Sequence, residues 1–292
     1  MEDFYDRHRE WYKDCLNNTQ KKRTAESWMQ TSTLDRWRHE RMLKLIIPLI
    51  DSKSSWLTLG DGRYGTDANF ILRNGGSAHA TDLSDNLLKI GSKKKFIQSF
   101  SVANAENLSF EDNSFDYVLI KETLHHCPRM WLALHESFRV SRKGIILIEP
   151  CDSNTLISFF RGLMQKFRRS NKRDYGFEII GNFVYKLNKK ELEKFLLGMN
   201  YQYIAFNKVN DVYERGVEFE KLNNLSNKGK YLFLKMKIKI FIKNITNYLR
   251  IYDGSTLISA LFKEPPSQKT INLLMKNGWK FKKLPSNPYK KY

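Results

Sequence analysis

The sequence is poor in cysteine, in long apolar runs and in acidic side chains. Its three cysteines, Cys15, Cys127 and Cys151, are widely spaced and form no Cys-x-x-Cys pair, which indicates reduced thiols rather than a disulfide framework or a zinc site. No stretch reaches the roughly 20 apolar residues of a membrane-spanning helix, and the acidic segment 1–6 does not resemble a secretory signal. We therefore expect a cytoplasmic protein without a bound metal.

Basic residues are in large excess, since 50 Lys and Arg stand against 31 Asp and Glu and give the 292 residues a net charge of +19. Such an excess is typical of proteins that bind nucleic acid, anionic lipid or phosphorylated substrates. The abundance of Lys, Asn and Ile is equally what AT-rich coding produces without a polyanionic partner. Because 41% of the residues are hydrophobic, the composition also predicts a folded domain with a sizeable core.

Strands and helices alternate along most of the chain. Segment 1–50 predicts an N-terminal helical cap, in which Ser32–Asp35 begins a helix that Pro48 ends or kinks. Beyond it, the alternation with short connections is typical of an α/β fold with a mostly parallel sheet. Strands are predicted at 55–59, 78–81, 97–103, 115–121, 144–149, 201–206 and 255–262, with an additional candidate at 279–283. The pattern predicts a Rossmann-like, seven-stranded sheet with helices on both faces.

A glycine-rich turn, Gly60-Asp61-Gly62-Arg63-Tyr64-Gly65, follows the first strand and precedes a helix. Glycines let the backbone turn sharply and bring its N–H groups close to a ligand. Asp82 stands at the end of the second strand, about 20 residues after the turn, where a carboxylate accepts hydrogen bonds from ribose hydroxyls. The pattern predicts an adenosine-containing ligand, and a dinucleotide is the alternative because the same glycines fit its fingerprint.

A second motif helps to distinguish between these two kinds of ligand. The segment 104–118, Asn-Ala-Glu-Asn-Leu-Ser-Phe-Glu-Asp-Asn-Ser-Phe-Asp-Tyr-Val, and the following Leu-His-His-Cys-Pro at 124–128 resemble class I S-adenosylmethionine-dependent methyltransferases of the ubiquinone-biosynthesis-like group. The resemblance covers roughly residues 52–150, which become the predicted S-adenosylmethionine-binding core at 51–150. It implies that the glycine turn holds the methionine part, the acid after the second strand the ribose, and the 104–105 element the adenine. The implied cofactor-binding residues are Gly60, Asp61, Gly62, Asp82, Leu83, Asn104, Ala105 and Lys121.

Three positions depart from the family pattern. Thr58 stands where the family usually has an acid, Tyr64 where it has a third glycine, and Asn104 where it has Asp. The Asn104 carbonyl can still accept a hydrogen bond from an adenine amino group, without adding charge. Asp61 can face the methionine ammonium in place of the missing acid, or point to solvent. These departures leave a non-catalytic S-adenosylmethionine-binding protein as an alternative.

His125 and His126 follow the fourth strand, at the edge of the sheet where open α/β folds bind ligands. In methyl transfer the protein positions the acceptor and manages its proton, and histidine suits the role of general base. Either imidazole can instead cap the next helix or pack against Cys127. Adjacent residues diverge, so the His-His-Cys run does not predict a metal site. Glu122 and Glu149 are further catalytic candidates, or structural hydrogen-bond partners of a loop.

Residues 151–292 are predicted to complete the sheet, with insertions at 151–187 and 208–253 that build the acceptor pocket, and a C-terminal extension. Tyr175, Phe183 and Tyr185 in the first insertion can line that pocket or simply pack. Segment 228–250 in the second is basic and partly amphipathic, which favours a helix that covers the acceptor side or contacts a membrane surface.

Taken together, these features predict a methyltransferase that acts on a small-molecule or carbohydrate acceptor. An RNA methyltransferase is the alternative that the positive charge supports.

Overall fold

A computed structural model describes residues 2–152, 176, 177, 183–249, 251 and 254–289. Its helices are α1 (Glu2–Asn17), α2 (Thr19–Trp28), α3 (Leu34–Leu43), α4 (Thr66–Arg73), α5 (Asn86–Lys93), α6 (Met130–Val140), α7 (Lys189–Gly198), α8 (Asn227–Tyr248) and α9 (Gln268–Lys276). Its strands are β1 (Ser55–Leu59), β2 (Ser77–Asp82), β3 (Ser99–Val102), β4 (Phe115–Lys121), β5 (Ser141–Pro150), β6 (Tyr203–Val209), β7 (Thr256–Phe262) and β8 (Lys280–Lys283).

All eight strands form one sheet in the order β3-β2-β1-β4-β5-β7-β6-β8. The first five of these are parallel neighbours, and β7 runs antiparallel between β5 and β6. The predicted α/β fold with a mostly parallel sheet is confirmed. The number of strands is eight rather than seven, because Lys280–Lys283 pairs with Tyr203–Phe206 and extends the antiparallel edge.

The central strands are buried on both faces, as their nearly continuous apolar sequences require. In β4, Val118 and Ile120 point to one core together with Leu57 and Phe138, while alternate residues such as Leu119 point to the other. Helices cover both faces, and the ends of the parallel strands meet at one edge. That edge is where an open α/β sheet binds its ligand.

Segment 1–50 is helical, as predicted. The Thr33 hydroxyl caps α3 by accepting a hydrogen bond from the Arg36 N–H, and Pro48 lies in a 3₁₀ turn that follows. In α1, Trp11 and Tyr12 pack with Tyr64 and Leu87 in a small apolar cluster. This cluster fastens the N-terminal helix over the glycine turn.

The basic insertion at 208–253 contains α8, the helix favoured by its sequence. The Ser226 hydroxyl caps this helix by accepting from the Gly229 N–H. Leu232, Met236 and Ile240 bury the inner face of α8 against Leu34 of α3. Among the described helices, none has both the length and the apolar character of a membrane span. Tyr175 and most of the 151–187 insertion lie outside the described residues.

Candidate functional site

A cavity of about 290 Å³ opens at the carboxyl ends of β1, β2 and β4, beneath α1. This is the edge at which the sequence predicts a ligand, and the volume is near the lower end of the range for small-molecule sites. Its walls come from five separate parts of the chain. The lining residues that matter for the chemistry are Tyr5, His8, Trp11, Tyr12, Gly60, Asp61, Arg63, Asp67, Asp82, Leu83, Asn104, Ala105, Lys121, Glu122, Thr123, His126 and Cys127.

The glycine turn is shaped by close contacts on both sides. Gly60 has a left-handed backbone with φ 71°, and a Cβ there would lie 2.1 Å from Thr123 Oγ1. A Cβ on Gly62 would lie 2.4 Å from Tyr12 Oη and 2.6 Å from Asp82 Oδ2. Only glycine fits these two positions without moving Thr123, the Asp82 carboxyl or the helix above the turn.

Asp61 is turned into the protein rather than toward solvent. Its carboxylate accepts hydrogen bonds from the backbone N–H groups of Asp67 and Ala68, at 3.1 Å and 2.8 Å, and from Thr58 Oγ1 at 2.9 Å. Asp61 therefore caps α4, whose N-cap residue is a glycine with no side chain to do so. Burial, with the charge of Asp67, raises the pKa of Asp61. Both carboxylate oxygens of Asp61 thus take part in capping α4, and Asp61 also lines the cavity.

Asp82 closes β2 inside the cavity. Its side chain is 6% exposed, and Oδ1 accepts a hydrogen bond from the Ser84 N–H at 3.0 Å. Burial raises the pKa of this carboxyl to about 7, and the N–H groups of Ser84, Gly62 and Leu83 oppose that rise only in part. A buried carboxyl with so few donors is a ready acceptor for ligand hydroxyl groups.

The Asn104–Ala105 loop is held by its neighbour Glu106. Asn104 Oδ1 accepts from the Glu106 N–H at 3.0 Å, so one lone pair of this oxygen is used within the loop. The Glu106 carboxylate, 2% exposed, accepts from Arg129 N at 2.7 Å and from Arg129 Nε at 2.6 Å. These contacts keep Asn104 and Ala105 in the cavity wall.

Helix α1 forms part of the cavity wall, and this contribution was not predicted from the sequence. Tyr5, His8, Trp11 and Tyr12 face the cavity, and the Tyr5 hydroxyl donates to Glu106 Oε2 at 2.6 Å. The signal was present as aromatic and imidazole side chains spaced three and four residues apart, which share one helical face. Nothing local indicates that this face covers a site about 100 residues away in the sequence.

A group of charged side chains forms the wall near the end of β4. Lys121 Nζ lies 3.4 Å from Asp67 Oδ1 and 3.5 Å from Glu122 Oε2. Burial acts against the ionised form of Glu122, but the charges of Lys121 and Arg38 outweigh it and lower its pKa to about 2. Glu122 therefore presents a carboxylate to the cavity at any ordinary pH.

His39 of α3 lies next to Glu122. Its Nε2 lies 2.8 Å from Arg38 Nη2, and because a guanidinium only donates, this ring nitrogen is the acceptor. The proton is then on Nδ1, which faces Glu122 Oε2 at 3.4 Å. Burial and the charges of Lys121 and Arg38 keep the pKa of His39 well below its usual value, so the ring is neutral.

Arg63 brings a positive charge to the same region. Its guanidinium stacks over the Trp28 ring at 4.8 Å and lines both the main cavity and a small side pocket beside α3. In the described part of the chain it forms no ion pair with a carboxylate. The cavity lining thus combines the ionised Glu122 carboxylate with the Arg63 guanidinium.

The two predicted catalytic histidines have different surroundings. His126 lines the cavity, whereas His125 is buried behind it and its Nδ1 contacts Glu149 Oε2 at 2.6 Å. Burial, and then the neighbouring His125 and His8, lower the pKa of His126 to about 3. Of the pair, only His126 is placed to meet a substrate.

Most of the predicted cofactor-binding residues line the cavity, and Gly62 shapes it through the backbone. Tyr64 has φ 61° and turns its ring away into the cluster beneath α1, so it does not fill the space of the usual glycine. Tyr185 packs against the core and Phe183 against Tyr185. Among the described residues of the 208–253 insertion, none lines this cavity.

Comparisons with known proteins find similarity to methyltransferases. Residues 57–148 match the family described as a methyltransferase domain. The chain is 40% identical over 82 residues to the ubiquinone/menaquinone biosynthesis C-methyltransferase UbiE of Rhizobium meliloti, covering 25% of this chain and 32% of that protein. It is 32% identical over 114 residues to the demethylmenaquinone methyltransferase of Anoxybacillus flavithermus, covering 34% of this chain and 48% of that protein. The matches thus span less than half the length of these relatives.

A solved structure has a similar fold. Magnesium protoporphyrin IX methyltransferase from Synechocystis PCC 6803, crystallised with bound SAH, superposes with a TM-score of 0.50 at 13% identity. The match covers 85% of this chain and 96% of that one.

Proposed function

We propose that this chain, whose residues 57–148 are a methyltransferase domain, transfers a methyl group from S-adenosylmethionine to a small organic acceptor. The observation that carries the proposal is the cavity itself. The Gly60 turn, the buried Asp82 carboxyl and the Asn104–Ala105 loop all line it. These three elements follow one another along the sequence in the same order as the motifs of the family.

The residues that line the cavity provide suitable partners for S-adenosylmethionine. Asp82 is a buried acceptor for the ribose hydroxyls, and Leu83, Asn104 and Ala105 form the wall for the adenine. Asn104 has a second lone pair available for an adenine amino group. These assignments use side chains from the ends of β2 and β3, which lie side by side in the sheet.

The charged end of the cofactor has partners on the opposite wall. Because Asp61 caps α4, we assign the methionine ammonium to Glu122, whose carboxylate is ionised and faces the cavity. Arg63 then pairs with the methionine carboxylate, since a guanidinium matches a carboxylate in shape and charge. Lys121 orients Glu122 and screens it from Asp67.

S-adenosylmethionine supplies an activated methyl group that an acceptor displaces in line. The chain has to orient the acceptor, exclude water and receive its proton. His126 is neutral over the physiological range and lies at the cavity wall, so its imidazole can accept a hydrogen bond from an acceptor hydroxyl. The α1 residues above it form one wall of the cavity and reduce the access of water from that side.

A small acceptor fits the observations better than RNA does. Relatives named above are methyltransferases of quinone biosynthesis, and the structurally similar enzyme is named for a porphyrin. The RNA alternative rests on net charge alone, which describes association rather than chemistry.

Titration calorimetry with S-adenosylhomocysteine tests the cofactor assignment. The wild-type chain and Asp112→Ala should bind, whereas Asp82→Ala should weaken binding by roughly 100-fold or more, because it removes the charged partner of two hydroxyls. Equal binding by Asp82→Ala, or binding of NAD in place of S-adenosylhomocysteine, would show that the cavity is assigned wrongly.

Transfer of a labelled methyl group tests the acceptor class. Hydroquinones and other small phenols, sugars and RNA are offered in parallel with S-adenosylmethionine. Label in a small molecule supports the proposal, and label in RNA alone contradicts it. Tight cofactor binding without transfer to any acceptor favours the non-catalytic alternative.

A further inference from the structure

Helix α8 exposes a continuous apolar stripe. Apart from the adjacent pair Phe241 and Ile242, its outward residues follow one another at intervals of three or four, and all of them share one face of the helix. Their exposed fractions are 63% for Tyr231, 58% for Leu234, 49% for Ile238, 64% for Phe241, 54% for Ile242, 43% for Ile245 and 87% for Tyr248. Contiguous apolar surface of this extent marks an interaction site rather than ordinary surface.

The stripe is held outward by the packing of the opposite face. Leu232, Met236 and Ile240 are buried against Leu34 and Val217. Because the inner face is already occupied, a rotation of α8 that hid the stripe would expose this core. The stripe is therefore a built surface of the folded chain.

Lysines border the stripe on both sides. Helix α8 contains six lysines and no acidic residue. Lys230 and Lys237, two turns apart, follow one edge, and Lys235 and Lys239, one turn apart, follow the other. The second pair binds Glu214, at 2.8 Å and 2.5 Å. Lys230 and Lys237 form no ion pair with any residue that the structure describes.

We propose that the α8 stripe docks onto an anionic lipid bilayer, with the helix lying in the plane of the membrane surface. From Tyr231 to Tyr248 the stripe is about 26 Å long at the α-helical rise. An apolar face of this length enters the boundary of the acyl chains, while bordering lysines reach the anionic headgroups. The inference concerns where the chain binds, and it stands independently of the methyl-transfer chemistry.

Charge argues against the other occupants of such a surface. A second copy laid on this stripe would bring Lys230 and Lys237 close to the same lysines, with no acidic residue in the helix to pair with them. Nucleic acid would meet an apolar centre rather than a continuous basic face. An anionic membrane complements both the apolar stripe and its lysine borders.

The docking surface is connected to the cavity through one helix. Helix α8 packs on Leu34 of α3, and α3 carries His39 to the back of Glu122. Membrane docking would thus hold the catalytic cavity one helix away from the lipid surface.

Co-sedimentation of the full chain with lipid vesicles tests the proposal. Vesicles of phosphatidylcholine mixed with phosphatidylglycerol should bind the wild type, and phosphatidylcholine alone should bind it at least about tenfold more weakly. The triple variant Leu234→Ser, Ile238→Ser and Phe241→Ser should lose binding, because it removes the apolar centre of the stripe. The variant Lys230→Glu with Lys237→Glu should weaken binding by about tenfold or more.

The matched control is the triple variant Leu197→Ser, Leu273→Ser and Met275→Ser, at exposed apolar positions outside α8. It should bind vesicles like the wild type. Calorimetry with S-adenosylhomocysteine on every variant separates loss of folding or of cofactor binding from loss of docking. The proposal is overturned if the stripe variant binds anionic vesicles as well as the control does, or if both vesicle types bind the wild type equally. It is also overturned if sedimentation shows a wild-type dimer that the stripe variant abolishes while vesicles bind neither.

Discussion

His125 Nδ1 donates a hydrogen bond to Glu149 Oε2 across 2.6 Å, and both side chains are buried. The other oxygen of the carboxylate, Oε1, accepts from the backbone N–H groups of Thr123 and Leu124, at 3.0 Å and 2.8 Å. One residue at the end of β5 thus holds the turn after β4, and this turn carries His126 into the cavity. Glu149 is a positioning residue for His126.

Replacing Glu149 with Gln should destabilise this turn. The amide group places N–H donors against His125 Nδ1–H, so one hydrogen bond is lost or the imidazole must change its tautomer. We expect the free energy of unfolding to fall by about 1–3 kcal/mol, measured by urea denaturation, with little change in S-adenosylhomocysteine affinity. The exposed Glu111→Gln is the control, and an unfolding midpoint equal to that of the control would contradict the positioning role.

Binding of S-adenosylhomocysteine should depend on pH through Asp82. The folded pKa of this carboxyl, about 7, lies above its ordinary value near 4, so the free folded chain keeps a proton that the unfolded chain has lost. Asp82 therefore costs the free protein stability as pH rises from about 4 to about 7. Ribose hydroxyls bind the ionised form, so affinity should rise by about tenfold between pH 6 and pH 8.

The variant Asp82→Asn isolates this effect. Its amide does not titrate, so calorimetry across the same pH range should give a weak but nearly constant affinity. A wild-type affinity that does not change between pH 6 and pH 8, or a slope that survives in Asp82→Asn, would assign the titration to another group.

Gly62→Val should abolish cofactor binding. Its Cβ would meet Tyr12 Oη and Asp82 Oδ2 well inside contact distance, and relief of that clash has to move α1 or the Asp82 carboxyl, to which we assign the ribose. Gly198→Ala is the matched control, because no heavy atom lies within 4 Å of the added Cβ. Calorimetry that detects normal S-adenosylhomocysteine binding by Gly62→Val would refute the position of the turn in the site.

His126→Ala should lower kcat by about tenfold, because it removes the hydrogen-bond acceptor that orients the acceptor hydroxyl, and should leave S-adenosylhomocysteine affinity unchanged. Since the pKa of His126 is about 3, protonation of this ring should not limit turnover between pH 5 and pH 9. Steady-state kinetics with the acceptor found above provide the measurement. Unchanged kcat in His126→Ala would remove the imidazole from the reaction.

The variant His125→Ala tests whether His125 has a structural role in this turn while His126 contacts the acceptor. It should reduce both kcat and thermal stability, because it leaves Glu149 Oε2 without its buried partner. His126→Ala, at the cavity surface, should reduce kcat with a smaller loss of stability. If the two variants have the same profile, the division of roles between the neighbouring histidines is wrong.

The order of the central elements could be predicted from the sequence, because it depends on local signals. Alternating apolar strands with helices between them predict the parallel sheet that the structure contains. The short strand β8 is harder to predict from the sequence, because Lys280–Lys283 has little apolar pattern. It forms a strand by pairing with β6. The local apolar pattern thus determines the central strands, whereas pairing with a neighbouring strand determines the strand at the edge of the sheet.

The sequence by itself determined that a glycine turn follows β1, that Asp82 ends β2, and that both lie at one edge of an α/β sheet. These properties follow from backbone geometry and from spacing along the chain. Only the tertiary structure decided that Asp61 caps α4, that Tyr5 of α1 binds Glu106, and that Glu149 supports His125. Each of these contacts joins groups whose partner is selected by three-dimensional proximity, and a side chain's direction depends on what packs around it.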